Sequence, residues 1–263
     1  MKIKIDLERD KNLTSFGIST IKDRYFDKNE TSPQHAFARA SKYVSTYRGK
    51  TDWDMAQRIY DYASKLWFGF SSPILSNAGT KKGLPISCFL NYVPDSRRGL
   101  SDHYDENIWL ASNGGGIGGY WGDIRSDGTS TSHGSMSTGS IPFMRVVDSQ
   151  MLAFNQGTTR RGSYACYMDV SHPEIEEFLF MRKSSGGDSN RKCLNLHHGI
   201  NITDDFMNAV SKNIDWELVD PHSKKIAKSM NARELWRLIL ETRHETGEPY
   251  LHFIDTSNKH LPE

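Results

Sequence analysis

The side chains of this sequence with chemistry to offer are a cysteine, a few arginines and acids, and many hydroxyls set among glycines. Cys88 follows Ser87 in the apolar run Ile86-Ser-Cys-Phe-Leu-Asn-Tyr-Val93, which is flanked by the polar turn segments Pro73-Ile-Leu-Ser-Asn-Ala-Gly-Thr80 and Val93-Pro-Asp-Ser96. A lone cysteine in a strand is more often a small core hydrophobe, but polar turns at both ends bring a strand end within reach of a ligand. Asp123-Ile-Arg125 opens a Ser/Thr-rich loop that runs through Gly128 and Gly134. One cation and many hydroxyl and backbone donors, without apolar bulk, suit a phosphate. Gln156-Gly-Thr-Thr-Arg-Arg-Gly162 is a second loop of this kind, in which Arg160 and Arg161 are able to form forked bonds to an anion. The plain alternative for both loops is a solvated surface.

Gly114-Gly-Gly-Ile-Gly-Gly119 satisfies the G-x-G-x-x-G pattern of dinucleotide sites. That fingerprint needs a strand before it, a helix after it and an acid about twenty positions on. Here a helical stretch precedes it and Thr138-Gly139 stands at the acidic position, so the run is expected to be a strand entry with close backbone approach. His172, His197 and His198 lack metal-ligand spacing and are expected to cap or pack, and no metal site is expected. Glu176-Glu177 and Asp204-Asp205 fall near helix amino ends, where carboxylates favour the helix dipole without any catalytic role. Cys166 and Cys193 are expected to be core or surface thiols.

The elements that must hold these residues are alternately helical and extended. Ser32-Pro33 makes a cap and first turn, and apolar residues recur at helical spacing through Phe37, Ala40, Tyr43, Val44 and Tyr47. Thr51 or Asp52 caps a second helix whose face runs from Met55 through Ile59, Tyr62, Ala63 and Leu66 to Phe70. Residues 1–70 thus form a helical domain and residues 71–263 a second domain. In that second domain strands are expected at 86–93, 163–170 and 198–202, and helices near 104–112, 142–154, 173–183, 204–212 and 232–244. This alternation is the signature of α/β architecture.

Composition narrows the partners. A net charge of +1 gives no electrostatic footprint for nucleic acid or a membrane surface, so any nucleotide must be gripped locally. With charged residues at 25% and a mean hydropathy of −0.62, the chain reads as a globular protein without a membrane span, and its expected setting is the cytoplasm. Three widely separated cysteines make no disulfide framework or zinc ribbon. A cysteine with a function would be redox-active.

Taken in order, several motifs resemble those of ribonucleotide reductase large (catalytic) subunits over residues 70–263. They are Ser72-Pro-Ile-Leu-Ser-Asn-Ala-Gly-Thr80, Ile86-Ser-Cys88, Gly114-Gly-Gly-Ile-Gly118, Asp123-Ile-Arg-Ser-Asp-Gly128, Gly139-Ser-Ile-Pro-Phe143, Gln156-Gly157 with Arg160-Arg161, and Tyr167-Met-Asp-Val-Ser-His172. The resemblance implies an α/β fold: the first part of a ten-stranded reductase barrel, built from two antiparallel halves of five parallel strands, after a small helical domain. It also implies reduction of ribonucleotides to deoxyribonucleotides. Cys88 corresponds to the catalytic cysteine that reduces the ribonucleotide and becomes half of a disulfide. Ser72, Ser87 and Gly116 correspond with it to substrate contacts. Asp95 and Arg125, with Ser96 and Arg97 beside them, correspond to a site for a dNTP or ATP specificity effector, the acid meeting the deoxyribose hydroxyl and the arginine the phosphates. Gln156, Arg160 and Arg161 correspond to the specificity loop that relays effector identity, the two arginines competing for one family position.

The implied partners are a ribonucleoside diphosphate substrate, a complementary carboxy-terminal large-subunit polypeptide, a second copy in a homodimer, thioredoxin or glutaredoxin, and a small subunit carrying a diiron-type radical. This is class I, of bacterial or phage type; the alternative is class II with adenosylcobalamin. The family's Asn-x-Cys-x-Glu segment, with its radical cysteine, the partner of Cys88 and an acid/base glutamate, has no counterpart in the 263 residues. The chain alone is therefore expected to be inactive, as a split-gene product or truncated piece, with a catalytically dead nucleotide-binding remnant as the alternative. An ATP-cone is expected to be absent, and an unclosed half barrel would leave an association-prone edge.

Overall fold

The computed structural model describes residues 2–154 and 162–262, so the loop residues Gln156, Arg160 and Arg161 lie outside the described residues. The chain forms two compact units, residues 1–87 and 88–263.

The first unit is helical. A 3-10 turn, Leu7–Asn12, precedes α1 (Ser15–Tyr25), α2 (Pro33–Val44), the short antiparallel pair β1 (Thr46–Tyr47) and β2 (Lys50–Thr51), α3 (Trp53–Ser64) and α4 (Ser72–Asn77). As expected, α2 starts with Pro33 in its first turn, and the Ser32 hydroxyl accepts from the Gln34 amide. Asp52, not Thr51, caps α3 by accepting from the Met55 amide. Ala36, Phe37, Ala40 and Tyr60 form the core with Leu75 of α4. That last contact keeps residues past 70 within the helical unit. The helix α1 was not expected, because Ser15-Phe-Gly-Ile-Ser-Thr carries no apolar stripe and buries no residue.

In the second unit each strand of the main sheet is followed by a helical crossover. The order along the chain is β3 (Cys88–Tyr92), α5 (Arg97–Ser112), β4 (Gly116–Tyr120), α6 (Ile141–Ala153), β5 (Ser163–Asp169), α7 (Ile175–Phe180), β6 (His197–Ile202) and α8 (Asp204–Lys212). A hairpin of β7 (Asp215–Val219) and β8 (Ile226–Asn231), then α9 (Ala232–Thr246), β9 (Tyr250–Phe253) and α10 (Ile254–Lys259), complete it. The five strands β3-β4-β5-β6-β9 lie side by side in that order, all parallel. Side chains alternate across such a sheet. Tyr164, Cys166 and Met168 of β5 point with Ile200 and Ile202 of β6 into the core formed by α6, α7, α8 and α9, whose contributors include Met144, Phe178, Phe206 and Leu235. The opposite face of the sheet is only partly covered. The acidic pairs sit where the helix dipole favours them, in the first turns of α7 and α8.

The strand at 86–93 is shorter than expected and begins at Cys88; the β7–β8 hairpin and β9 were not anticipated. Among the described residues no helix is long and apolar enough to cross a membrane.

Candidate active site and effector cavity

The partly covered face of the sheet lines a cavity of about 860 Å³. Parallel register places Cys88 beside Gly116 and Gly116 beside Ser163, so the thiol heads a row of small residues at the amino ends of three strands. Cys88 is exposed, whereas Cys166 and Cys193 are fully buried, and all three are free thiols. Burial, aided by nearby acids, pushes the Cys193 thiol up to about 12 and the Cys166 thiol well above its ordinary value. Both are therefore inert core residues, and Cys88 is the reactive candidate. A Cβ on Gly118 would lie 2.9 Å from the tip of the exposed Leu90 side chain, so the glycine leaves room on this face that Leu90 would otherwise have to yield.

The glycine run itself follows α5 and enters β4. Helix, glycines, strand is the reverse of a dinucleotide turn. Ser72 begins α4 in the helical unit, where its hydroxyl lies 3.1 Å from the Tyr25 hydroxyl. Ser87, next to Cys88 in the chain, is buried. The structure thus gathers Cys88 and Gly116 in one cavity, while Ser72 and Ser87 belong to the first unit.

At the carboxyl ends of the same strands lies a polar chain that no motif announced. Tyr120 donates to Asp169 at 2.6 Å, and the Asn201 amide donates to the other Asp169 oxygen at 3.0 Å. Asn201 Oδ1 must then accept from His252 Nδ1 at 2.8 Å, which leaves Nε2 to accept from Ser257 at 2.8 Å. Burial, followed by the Asp169 carboxylate, drives the Tyr120 hydroxyl far above its ordinary value. These groups form a relay whose donors all point toward Asp169.

A second cavity, of about 450 Å³, collects Asp95, Ser96, Arg97 and Arg125, the residues that the sequence grouped, with Thr131 and Ser137 of the hydroxyl-rich loop. Arg125 Nε donates to Asp95 at 2.8 Å and Nη1 to the Ser130 carbonyl at 3.0 Å. Ser96 caps α5 by accepting from the Gly99 amide. Two buried carboxylates brace this loop from outside. Asp220, at the end of β7, accepts from the Ser126 amide, the Ser126 hydroxyl and Thr129. Its burial would raise its pKa, but donors from Ser223 and Ser126 outweigh that and hold it far below the usual carboxylate range. Glu174 accepts from the amide and hydroxyl of Ser140, both at 2.9 Å, and its burial nevertheless raises it to about 7.

The histidines do pack and pair. His172 bonds the Ile124 carbonyl at 2.9 Å, and His197 and His198 both meet Glu248, whose carboxyl they and Arg182 lower to about 2 against its burial. Among the described residues no group of three or more His, Cys, Asp or Glu side chains could hold a metal ion. Asp220 was missed, although Asp-Pro-His-Ser is a turn signature in which the acid commonly binds amides two and three residues on.

The family described as "Ribonucleotide reductase, barrel domain" matches residues 86–263, and "Ribonucleotide reductase, all-alpha domain" matches residues 11–83. The chain is 45% identical over 266 residues to the ribonucleoside-diphosphate reductase large subunit of Invertebrate iridescent virus 6, covering 98% of this chain and 26% of that protein. It is 38% identical over 315 residues to the protein of that name from Invertebrate iridescent virus 3, covering 99% and 48% respectively. Its fold is similar to the Actinobacillus ureae class Id ribonucleotide reductase alpha subunit, with a TM-score of 0.72, 27% identity, and coverage of 98% of this chain and 43% of that one. The chain belongs to the ribonucleotide reductase large-subunit family, spanning its helical domain and the start of its α/β barrel. It covers between about a quarter and a half of the length of these relatives.

Proposed function

We propose that this chain provides the reductant thiol and the effector cavity of a ribonucleoside-diphosphate reductase. Cys88 donates reducing equivalents to a ribonucleoside diphosphate held against Gly116, Ser87 and Ser72; the substrate loses its 2′-hydroxyl as water while Cys88 and a second cysteine, supplied by further large-subunit sequence, are oxidised to a disulfide. Thioredoxin or glutaredoxin restores the dithiol. The reading is class I, with a radical-generating small subunit and a homodimeric large subunit, in keeping with the likeness to a class Id alpha subunit. Asp95, Ser96, Arg97 and Arg125 bind a dNTP or ATP effector, and Gln156, Arg160 and Arg161 carry its identity to the substrate site. The setting is cytoplasmic, where thiols are kept reduced.

The observation that carries this reading is Cys88 itself: an exposed thiol beside Gly116 at the amino end of the sheet, in a chain whose other two cysteines are buried. The test uses the full-length large subunit with its radical subunit and thioredoxin. Cys88→Ser is expected to abolish multiple-turnover formation of deoxyribonucleotide, while Cys193→Ala retains it. Sustained turnover by Cys88→Ser refutes the assignment, and an inactive wild-type assembly favours a nucleotide-binding remnant.

A further inference from the structure

The turn of the β7–β8 hairpin does not line the effector cavity, yet it sets His222 against Asp95, which does. Asp220 is the hinge of this arrangement. Only 3% exposed, it divides its two oxygens between two pieces of chain. Oδ2 gathers the Ser126 amide at 2.8 Å, the Ser126 hydroxyl at 2.7 Å and Thr129 at 3.0 Å, all in the loop that follows Arg125. Oδ1 gathers the amides of His222 at 3.1 Å and Ser223 at 2.6 Å, which form the hairpin turn. A single buried carboxylate thus sets the distance between Arg125's loop and His222.

The result of that spacing is a shared acid. His222 Nδ1 lies 3.4 Å from Asp95 Oδ2, the same oxygen that accepts from Arg125 Nε at 2.8 Å. An arginine beside a carboxylate ordinarily settles into a two-pronged pair that uses two of its donors on one acid. Here Arg125 gives Asp95 only Nε and spends Nη1 on the Ser130 carbonyl. The His222 ring, an ion-pair partner 3.4 Å from Oδ2, occupies the space beside that oxygen and so opposes rotation of the carboxylate into the two-pronged arrangement, which leaves guanidinium donors for the cavity that Arg125 lines. An anion then meets a donor that needs no rearrangement, which is where preorganisation adds affinity.

We propose that His222 is a positioning residue of the effector site: by packing against the Asp95 oxygen that Arg125 also uses, it keeps the guanidinium available to the phosphates of a deoxynucleoside triphosphate. The hairpin is thereby a structural part of that site. This rests on the reading of the Asp95–Arg125 cavity as the effector site.

The test is equilibrium binding of dTTP to the full-length large subunit by calorimetry, at one fixed salt concentration because phosphate contacts are salt-dependent. His222→Ala is expected to weaken binding about three- to fivefold, the upper end of what one partly exposed ion-pair contact contributes. His222 is half exposed, so the thermal melt should stay where it is. His222→Gln, which keeps a donor at similar reach, should restore binding to within about twofold of wild type. Asp95→Asn combined with His222→Ala should bind no worse than Asp95→Asn alone, because the histidine acts through the acid. Full additivity in that cycle, or unchanged affinity in His222→Ala while Arg125→Ala binds poorly, overturns the role of the hairpin and leaves the effector site standing. Unchanged affinity in Arg125→Ala overturns the site itself.

Discussion

Replacing Asp220 should be the most damaging single change to the second unit that leaves its apolar core intact. Its carboxylate accepts five hydrogen bonds, from two amides of its own turn and from one amide and two hydroxyls of the loop after Arg125. In Asp220→Ala the turn amides of His222 and Ser223 can be reached by water, and the hydroxyls of Ser126 and Thr129 retain each other at 3.2 Å. The Ser126 amide has no such recourse, because Ser126 is buried. A stranded buried donor costs about 1–3 kcal/mol, and bonds to a charged acceptor contribute about 1.5–3 kcal/mol each without adding fully, so a total loss of roughly 3–5 kcal/mol is expected. In a domain of this size that lowers Tm by roughly 6–20 °C. Asp220→Asn should still lose a substantial part of this, since even with its oxygen toward the three loop donors its NH2 would face the two turn amides. The carboxyl is held below its unfolded value, so its contribution is present in full above about pH 4 and disappears as pH falls further. The assay is denaturant unfolding at pH 7 and in the acid range. A loss under about 1 kcal/mol at pH 7, or a loss that grows on acidification, refutes the idea that this one acid joins hairpin and loop.

Three further outcomes follow from other sites. A thiol reagent should label Cys88 rapidly in the folded chain and reach Cys166 and Cys193 only on unfolding; fast labelling of all three contradicts their burial. Gly119→Ala should destabilise by about 3 kcal/mol or more, since a Cβ there falls 2.5 Å from Tyr164 Cζ and displaces a hydroxyl bonded to Trp121 and His103; a wild-type melting curve would contradict this. Glu174 is raised from 4.5 to about 7, so the folded state holds its proton more tightly than the unfolded one. Its ionisation therefore removes stability as pH rises through that window, by roughly 3 kcal/mol in all. Glu174→Gln should flatten the fall between pH 5 and pH 8, and an equal slope in both proteins counts against the shift.

Much of the fold could be read along the chain. Apolar spacing located α2 and α3, and a short apolar run between Gly-rich loops located β5, because buried elements concentrate apolar residues and a half-buried helix writes its period into them. The elements that went unseen have weak periods. In α1 no residue is buried, and β8 is mostly exposed, so neither strand nor helix period is imposed on its composition. The motif residues Asp95, Ser96, Arg97 and Arg125 were legible as a group and do line one cavity.

What the sequence determined alone was the kind of chain: an α/β reductase segment with one cysteine in a setting suited to chemistry and two loops suited to anions. Local residue types suffice for the alternation, the cysteine and the loops, since turns, caps and small residues act over a few positions, while the reductase reading rests on the resemblance of the ordered motifs to that family. Only the tertiary structure decided that Cys88 is exposed while Cys166 and Cys193 are sealed in the core, for burial depends on which face of a strand a helix covers. It alone brought Asp220 to Ser126, 94 positions away, and set His222 against Asp95. Such contacts arise from parallel register and crossover packing, which relate distant segments through space and leave no period in the chain.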